Sequence, residues 1–156
     1  MWGMKRFLSI LLLATATLNA EDKPPHPING AWVGHEITES GEPMEQERVR
    51  GFEMSFQGAE VSVRMGEQNA TGKIELDDTK SPKWINITLG EGKDVMTIPA
   101  IYEVAGDTLR LCHPDGEGER PKKFVAAKGF VLGIFKRPRN KKDGAESKAP
   151  EPLGTE

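Results

Sequence analysis

The sequence contains a single cysteine, Cys112, among its 156 residues. One thiol cannot form an internal disulfide, so the domain has to be stabilised by its apolar core. We expect Cys112 itself to be a small buried residue, because free cysteine is buried more often than it is reactive.

Patterns that carry catalysis or bind metals are missing from the sequence as well. No serine stands in a Gly-x-Ser-x-Gly context, and the three histidines lack the spacing of metal ligands. Cys112 and His113 are neighbours, and neighbouring residues of a strand point to opposite faces, so they cannot act as a nucleophile and its base. The sequence therefore predicts a non-catalytic protein with no metal or other cofactor.

Only one long apolar run occurs, and it lies at the start of the chain. Two basic residues precede the uncharged apolar stretch 7–18, which leads to the small residue Ala20. This pattern predicts a signal peptide over 1–20 and a periplasmic or extracellular product. The run is shorter than the roughly 20 residues of a membrane-spanning helix, so no stable membrane span is expected; an uncleaved, anchored form is the alternative.

Acidic residues are absent from 120–142, which holds 9 Lys/Arg, whereas 21–119 holds 9 Lys/Arg and 20 Asp/Glu. Such asymmetry is typical of a surface for an anionic envelope component or protein. The alternative is that the basic strand neutralises acidic neighbours. Nucleic acid is not expected as a partner, because no recognised motif accompanies the basic run and few aromatic residues there could stack on bases.

The chain does have apolar residues that alternate with polar ones, which is the period of strands with one buried face. The clearest hairpin spans 96–113: Ala105-Gly106 is the expected loop, and pairing Val104 with Asp107 would place Tyr102 opposite Leu109. Strands are predicted near 30–38, 51–57, 60–66, 70–76, 84–90, 96–104, 107–112 and 130–137, with a further short strand at 123–126.

The folded domain is predicted to cover residues 28–137. A Pro-rich extended linker, 21–27, precedes it, and a polar tail, 138–156, follows with a composition that predicts disorder. Segment 40–50 lacks a strand pattern and is expected to form a short helix or a loop across one end of the sheet. Because short antiparallel strands leave two exposed edges unless the sheet closes, we expect an all-β, single antiparallel up-and-down barrel of about eight strands; a β-sandwich is the alternative.

Several short motifs resemble those of a known kind of domain. They are Gly30-Ala31-Trp32, Lys80-Ser81-Pro82-Lys83, the hairpin 101–112, and Arg120-Pro121 with Phe124. Over the whole folded domain the chain resembles the lipocalin-like domain of unknown function that is abundant in exported proteins of planctomycete bacteria. The resemblance implies a lipocalin-like barrel but no particular ligand or activity. Two positions depart from it: Ala100 stands where Gly is frequent, and Asn86 where Asp is frequent.

The resemblance also implies a structural contact at one barrel end. In lipocalins the Trp of the Gly-x-Trp element closes one end beneath an Arg or Lys of the last strand, and the matching positions are Trp32 and Arg137. Strict alternation from an inward Trp32 would turn Ile37 outward. A β-bulge at Gly34-His35 would return Ile37 to the core.

An eight-stranded barrel is either filled by side chains or wide enough for one small ligand. An interior pocket of about 300 Å³ or more would favour binding of a small apolar or amphipathic ligand. Such a ligand is expected to enter the barrel end opposite Trp32, beneath segment 40–50. A filled interior would instead favour binding of a partner by the basic surface 120–142. Each large residue at the interior is either a ligand contact or simply core. The residues expected in or around the interior are Met54, Phe56, Met65, Trp84, Tyr102 and Phe124.

Overall fold

The computed structural model describes residues 24–139. The predicted signal peptide, the first three residues of the predicted linker and all but two residues of the predicted tail lie outside these residues. Each of the eight predicted strands is present, with bounds within two residues of the prediction. A 3₁₀ turn over Gly92–Asp94 joins two strands. The elements are β1 (Gly30–Glu39), β2 (Glu42–Pro43), α1 (Gln46–Arg50), β3 (Phe52–Gln57), β4 (Glu60–Met65), β5 (Gln68–Asp77), β6 (Lys83–Leu89), β7 (Met96–Ala105), β8 (Thr108–Pro114) and β9 (Phe130–Lys136).

Eight of the strands form a closed barrel. The sheet runs β1-β3-β4-β5-β6-β7-β8-β9, every neighbouring pair is antiparallel, and β9 pairs back onto β1 from Lys136 opposite Val33 to Val131 opposite Glu39. The short strand β2 only extends the end of β1. The predicted up-and-down barrel is confirmed, and the sandwich alternative is wrong, because the β1–β9 ladder leaves the main sheet without free edges.

The alternating sequence pattern places every second side chain of each strand inside the barrel. Trp32 and Tyr102 are the two largest fully buried side chains, and they lie near the same end of the barrel. Apolar residues from all eight strands surround them, and α1 adds Val49. The buried core is Ile28, Trp32, Ile37, Val49, Met54, Phe56, Val61, Ile74, Ile85, Ile87, Ala100, Tyr102, Leu109, Leu111 and Phe135.

The expected bulge in β1 is present. Gly34 pairs with Phe135 and Glu36 pairs with Ile134, so His35 is the extra residue, and Ile37 returns to the core. Glycine is required at the bulge, because a Cβ on Gly34 would overlap the carbonyl oxygen of Val49. The bulge therefore also makes room for α1 to sit directly on the barrel wall.

The predicted register of the β7–β8 hairpin is wrong by two residues. Val104 pairs with Leu109 instead of Asp107, and Tyr102 lies opposite Leu111. The loop is Gly106-Asp107, in which Gly106 has a φ of 56° at the first position, as a two-residue hairpin turn with glycine first requires. Because the shift is by an even number of residues, the inward face of each strand is the one predicted.

The predicted short strand at 123–126 is also wrong. Residues 115–129, here called the strap, form no strand. Because β8 pairs directly with β9, there is no free edge between them for a further strand. The strap instead crosses the outer face of the barrel, where the Cys112 thiol donates to the Val125 carbonyl at 3.8 Å.

The strap covers a second, smaller apolar cluster on the outside of the barrel. Ile101 and Cys112 are fully buried although both face outward, and Pro121 of the strap is buried with them. The expectation of a buried Cys112 is confirmed, and this burial raises the pKa of its thiol. The thiol is therefore protonated and inert at neutral pH.

Arg120 fixes the strap to the barrel. Its Nη1 donates to the carbonyl oxygens of Ile85, at 3.0 Å, and of Ala100, while its Nη2 donates to Asn86 Oδ1 at 2.5 Å. The guanidinium also stacks over the Trp84 ring, 4.6 Å from its centroid. One strap residue thus binds β6 and β7 together from the outside.

The end of the barrel at which Trp32 lies is closed by Arg137. The guanidinium carbon of Arg137 lies 3.8 Å from the Trp32 ring centroid, so the stacking contact implied by the lipocalin resemblance is present. The same guanidinium donates to the carbonyl oxygens of Asn29, at 2.6 Å, and Pro27, at 2.8 Å. The Trp32 indole N–H donates to the Ile28 carbonyl at 2.7 Å, so the chain before β1 is held beneath this closed end.

Replacing Arg137 by Ala should lower the free energy of unfolding by about 1 kcal/mol or more, because the stacking on Trp32 and the packing of the arginine stem are lost. Arg137→Lys should recover only part of this, since an ammonium does not bridge two carbonyl groups as a planar guanidinium does. Urea denaturation measures both variants. Arg139→Ala, at an exposed arginine, is the control; equal stability of Arg137→Ala and the unaltered protein would contradict the prediction.

Replacing Arg120 by Ala should release the strap and expose Cys112. Hydrogen bonds from a charged donor contribute about 1.5–3 kcal/mol each, so a thiol reagent should react with Cys112 at least about tenfold faster as the open population grows. Lys122→Ala, at an exposed strap residue, is the control. A thiol as protected in Arg120→Ala as in the unaltered protein would show that other contacts hold the strap.

Candidate functional site: the open end of the barrel

A cavity of about 230 Å³ lies at the end of the barrel opposite Trp32. Its walls come from the inward faces of β1, β3, β8 and β9, and Met44 and Arg48 of segment 40–50 form its roof. The Phe52 and Phe135 rings pack at its base, with centroids 5.5 Å apart. The cavity lies at the end where ligand entry is predicted, but its volume is below the roughly 300 Å³ that would favour a ligand-binding interior. Its apolar lining is Ile37, Met44, Phe52, Met65, Leu111, Val131 and Phe135.

Four polar or charged side chains lie around this cavity: Glu39, Arg48, His113 and Asp115. The His113 ring Nδ1–H donates to the Pro114 carbonyl at 2.7 Å. Burial lowers the pKa of His113, while the nearby carboxylates of Asp115 and Glu39 partly oppose the shift. His113 is therefore neutral at pH 7, and it presents an uncharged ring to an otherwise apolar wall.

Exposed apolar side chains surround the open end. The strand pairing puts Met65, Val95 and Met96 at this end of the barrel, where they are 39%, 48% and 56% exposed. With Met44 they include three methionines, whose unbranched thioether chains adapt to irregular ligand surfaces. Large exposed apolar residues in the described chain are thus concentrated around the cavity, with Trp84 as the exception.

Segment 40–50 is attached to the barrel more firmly than its polar sequence suggests. Val49 is fully buried, so this polar segment is anchored in the core. Ser40 adds a polar anchor: its hydroxyl donates to Asp115 Oδ2 at 2.6 Å and accepts the Gly129 N–H at 3.1 Å. The Met44 and Arg48 side chains of this segment line the cavity.

The six residues predicted in or around the interior fall into three groups. Met54, Phe56 and Tyr102 are buried core residues, and Met65 lines the open-end cavity. Trp84 and Phe124 lie outside the barrel, so their predicted placement is wrong. The neighbour of Trp84, Ile85, is fully buried, and alternation therefore turns Trp84 outward, while Phe124 belongs to the strap.

Tyr102 does not face the open end. Its hydroxyl donates to Asp78 Oδ1 and lies 3.4 Å from His26 Nε2, beside the closed end. Hydrogen bonds from Tyr102 and His26 lower the pKa of Asp78 to about 2, and burial raises the pKa of Tyr102. Sequence reasoning missed this cluster, because no local pattern links residues 26, 78 and 102.

The basic residues of 120–142 do not form one surface within the described chain. Arg120 and Arg137 are engaged in the structural contacts described above, Lys128 lies beside Gly41 near the open end, and the Lys136 ammonium donates to Thr108 at the closed end. None of the ion pairs found among residues 24–139 includes a residue of this stretch. Direct neutralisation by acidic neighbours is therefore not seen among the described residues.

Residues 24–139 contain no helix long and apolar enough to cross a membrane. Nor does this part of the chain bring three or more His, Cys, Asp or Glu side chains together as metal ligands.

Comparison with known proteins gives one structural similarity. No protein-family model and no curated protein matches the chain. Among solved structures, the protein is similar to a DUF4847 family protein from Bacteroides vulgatus, with a TM-score of 0.46 and 14% sequence identity over 73% of this chain and 96% of that one.

The stability of the protein should fall as the pH drops below about 6.5, the ordinary pKa of histidine. Below that pH the unfolded chain binds a proton that half-buried His113 in the folded protein does not, so acid favours the unfolded state. Urea denaturation between pH 7 and pH 5 measures the slope, and His113→Gln should reduce it. His35→Gln, at an exposed histidine of β1, is the matched control; a slope that persists in His113→Gln would contradict the prediction.

Proposed function

We propose that this protein is an exported, lipocalin-like, non-catalytic binding domain whose ligand is a small apolar or amphipathic molecule held at the open end of the barrel. The observation that carries the proposal is the apolar cavity beneath Met44 and Arg48, with the exposed Met65 in its lining. The signal-like start of the chain and the lipocalin-like motifs support the exported and lipocalin-like parts of it.

The size of the cavity limits the ligand. Pockets for drug-sized molecules measure about 300–1,000 Å³, and this one measures about 230 Å³. The ligand is therefore smaller than that class, or it inserts only one apolar end. A hydrocarbon chain or single ring would contact Ile37, Leu111 and Val131, with its polar end left at the cavity mouth near Arg48 and Asp115.

The core explains why no larger ligand enters from this end. Trp32, Phe56 and Tyr102 fill the interior at the closed end of the barrel, and all three are fully buried. Removing such side chains to admit a ligand would cost several kcal/mol of core packing. The volume available to a ligand is thus confined to the open end of the barrel, beneath the Met44 and Arg48 side chains.

The probe for this proposal is 1-octanol, whose chain and single hydroxyl match an apolar cavity with few polar groups. Titration of the ¹⁵N-labelled protein, followed by two-dimensional NMR, should shift the backbone amides of Ile37, Leu111, Val131 and Phe135. Val131→Phe should fill the cavity and weaken binding about tenfold or more, because apolar contact area is lost.

Two further variants guard against an indirect effect. Leu132→Phe adds the same ring one residue along β9, on the face that points away from the cavity, and should leave the octanol affinity unchanged. Met65→Gln, at an exposed position of the cavity lining, should weaken binding without affecting folding. Octanol shifts spread evenly over the protein, or unaffected by Val131→Phe in a folded variant, would refute the proposal.

A further inference from the structure

A second concave site lies at the closed end, on the outside of the barrel. It is a groove of about 380 Å³ bounded by the N-terminal segment, the β5–β6 turn, the end of β7 and the strap. We propose that this closed-end groove binds a small organic anion that carries a carboxylate or similar group on an apolar or aromatic body. The proposal is independent of the open-end function. The groove is lined by His26, Pro27, Lys80, Ser81, Pro82, Lys83, Tyr102, Glu103, Val104 and Phe124.

The closed-end groove is held in shape by contacts on each of its sides. Asp78 accepts hydrogen bonds from Tyr102 on β7 and from His26 Nε2, the latter at 3.0 Å. His26 Nδ1 accepts the Ile28 N–H at 3.2 Å, which leaves the proton on Nε2 as the donor to Asp78. Arg110 stacks over Phe124 at 4.4 Å from the ring centroid and fixes the strap side. A site that is formed before its ligand arrives loses little ordering free energy on binding.

The lysines of the β5–β6 turn give the groove its positive charge. The Lys80 ammonium lies 4.9 Å from the Trp84 ring centroid, and no carboxylate of the described residues lies within ion-pairing distance of it. Lys83 makes one long contact, 3.5 Å, to Asp78. Two more exposed lysines, Lys122 and Lys123, immediately precede Phe124 on the strap side.

The carboxylates near the groove are already engaged by other donors. Asp78 accepts from Tyr102 and His26, as described above, and Glu103 pairs with Arg110 at 3.1 Å. Asp77 accepts from both the N–H and the hydroxyl of Thr79, at 3.1 and 2.5 Å. These carboxylates therefore form no ion pair with Lys80, and its positive charge is available to an anion that enters the groove.

The apolar part of the lining selects the body of the ligand. The rings of Pro27 and Pro82, the Val104 side chain and the Phe124 ring all border the groove. Its volume falls within the range of sites for drug-sized molecules, unlike the open-end cavity. An inorganic anion would use only the lysines, whereas an apolar anion would use both parts of the lining, so the groove favours the second.

The test compares three probes by two-dimensional NMR titration of the purified protein. 2-Naphthoate is the apolar anion, 2-naphthamide is its neutral counterpart, and inorganic phosphate supplies charge without an apolar body. 2-Naphthoate should bind at least about fivefold more tightly than 2-naphthamide, and its affinity should fall with added salt. The backbone amide signals that it shifts should be those of Lys80, Lys83, Glu103, Val104 and Phe124. Phosphate should not saturate the site.

Lys80→Gln and Lys83→Gln should each raise the dissociation constant of 2-naphthoate about threefold, as expected for exposed charge contacts. Lys128→Gln, at an exposed lysine near the open end, is the matched control. Equal affinity for 2-naphthamide, equal binding of phosphate, or an equal effect of Lys128→Gln would overturn the proposal. Val131→Phe should leave 2-naphthoate unaffected and Lys80→Gln should leave 1-octanol unaffected, so each site can fail without the other.

Discussion

The pairing of β9 with β1 is the constraint on which the rest of the structure depends. Without it, the same eight strands would form an open sheet with two edges and no inside. Closure also brings the last strand to the start of the first, which is what allows Arg137 to stack on Trp32 and bind the carbonyl groups of Pro27 and Asn29. The backbone ladder and the side-chain closure of one end are therefore consequences of the same contact between the two ends of the domain.

Closure makes the two ends of the barrel chemically different. At one end Trp32, Phe56 and Tyr102 fill the interior. At the other, β9 contributes Gly133, which has no side chain, and the Phe135 ring lies over that position, so a flat aromatic surface forms the base of the cavity. Large side chains concentrated at one end leave space at the other, because a barrel of eight strands has a fixed interior width.

Much of the fold follows from the sequence, because the alternation of inward and outward side chains along a strand is a local property. Alternation was sufficient for the eight strands and for their inward faces, and the glycine in β1 was sufficient for its bulge. The β7–β8 register depended on which two residues form the loop, and the glycine alone did not settle that. Trp84 and Phe124 were misplaced because their size suggested core, although this alternation turns Trp84 outward. Arg120 binds carbonyl groups that lie 20 and 35 residues away, which no local pattern contains.

The contacts that sequence reasoning missed are the ones that give the outer surface its chemistry. Aromatic and cationic side chains that alternation places outside the barrel need partners there, and they find one another: Trp84 lies between Lys80 and Arg120, and Phe124 lies beneath Arg110. These pairs fix the strap and the β5–β6 turn against the wall, and the groove is the space left between them. The filled interior separates this groove from the open-end cavity, and Tyr102, which is almost fully buried, borders the groove from inside the closed end. A barrel with a packed centre can therefore carry two unlike sites, an apolar one inside its open end and a cationic one outside its closed end, without either competing for the volume of the other.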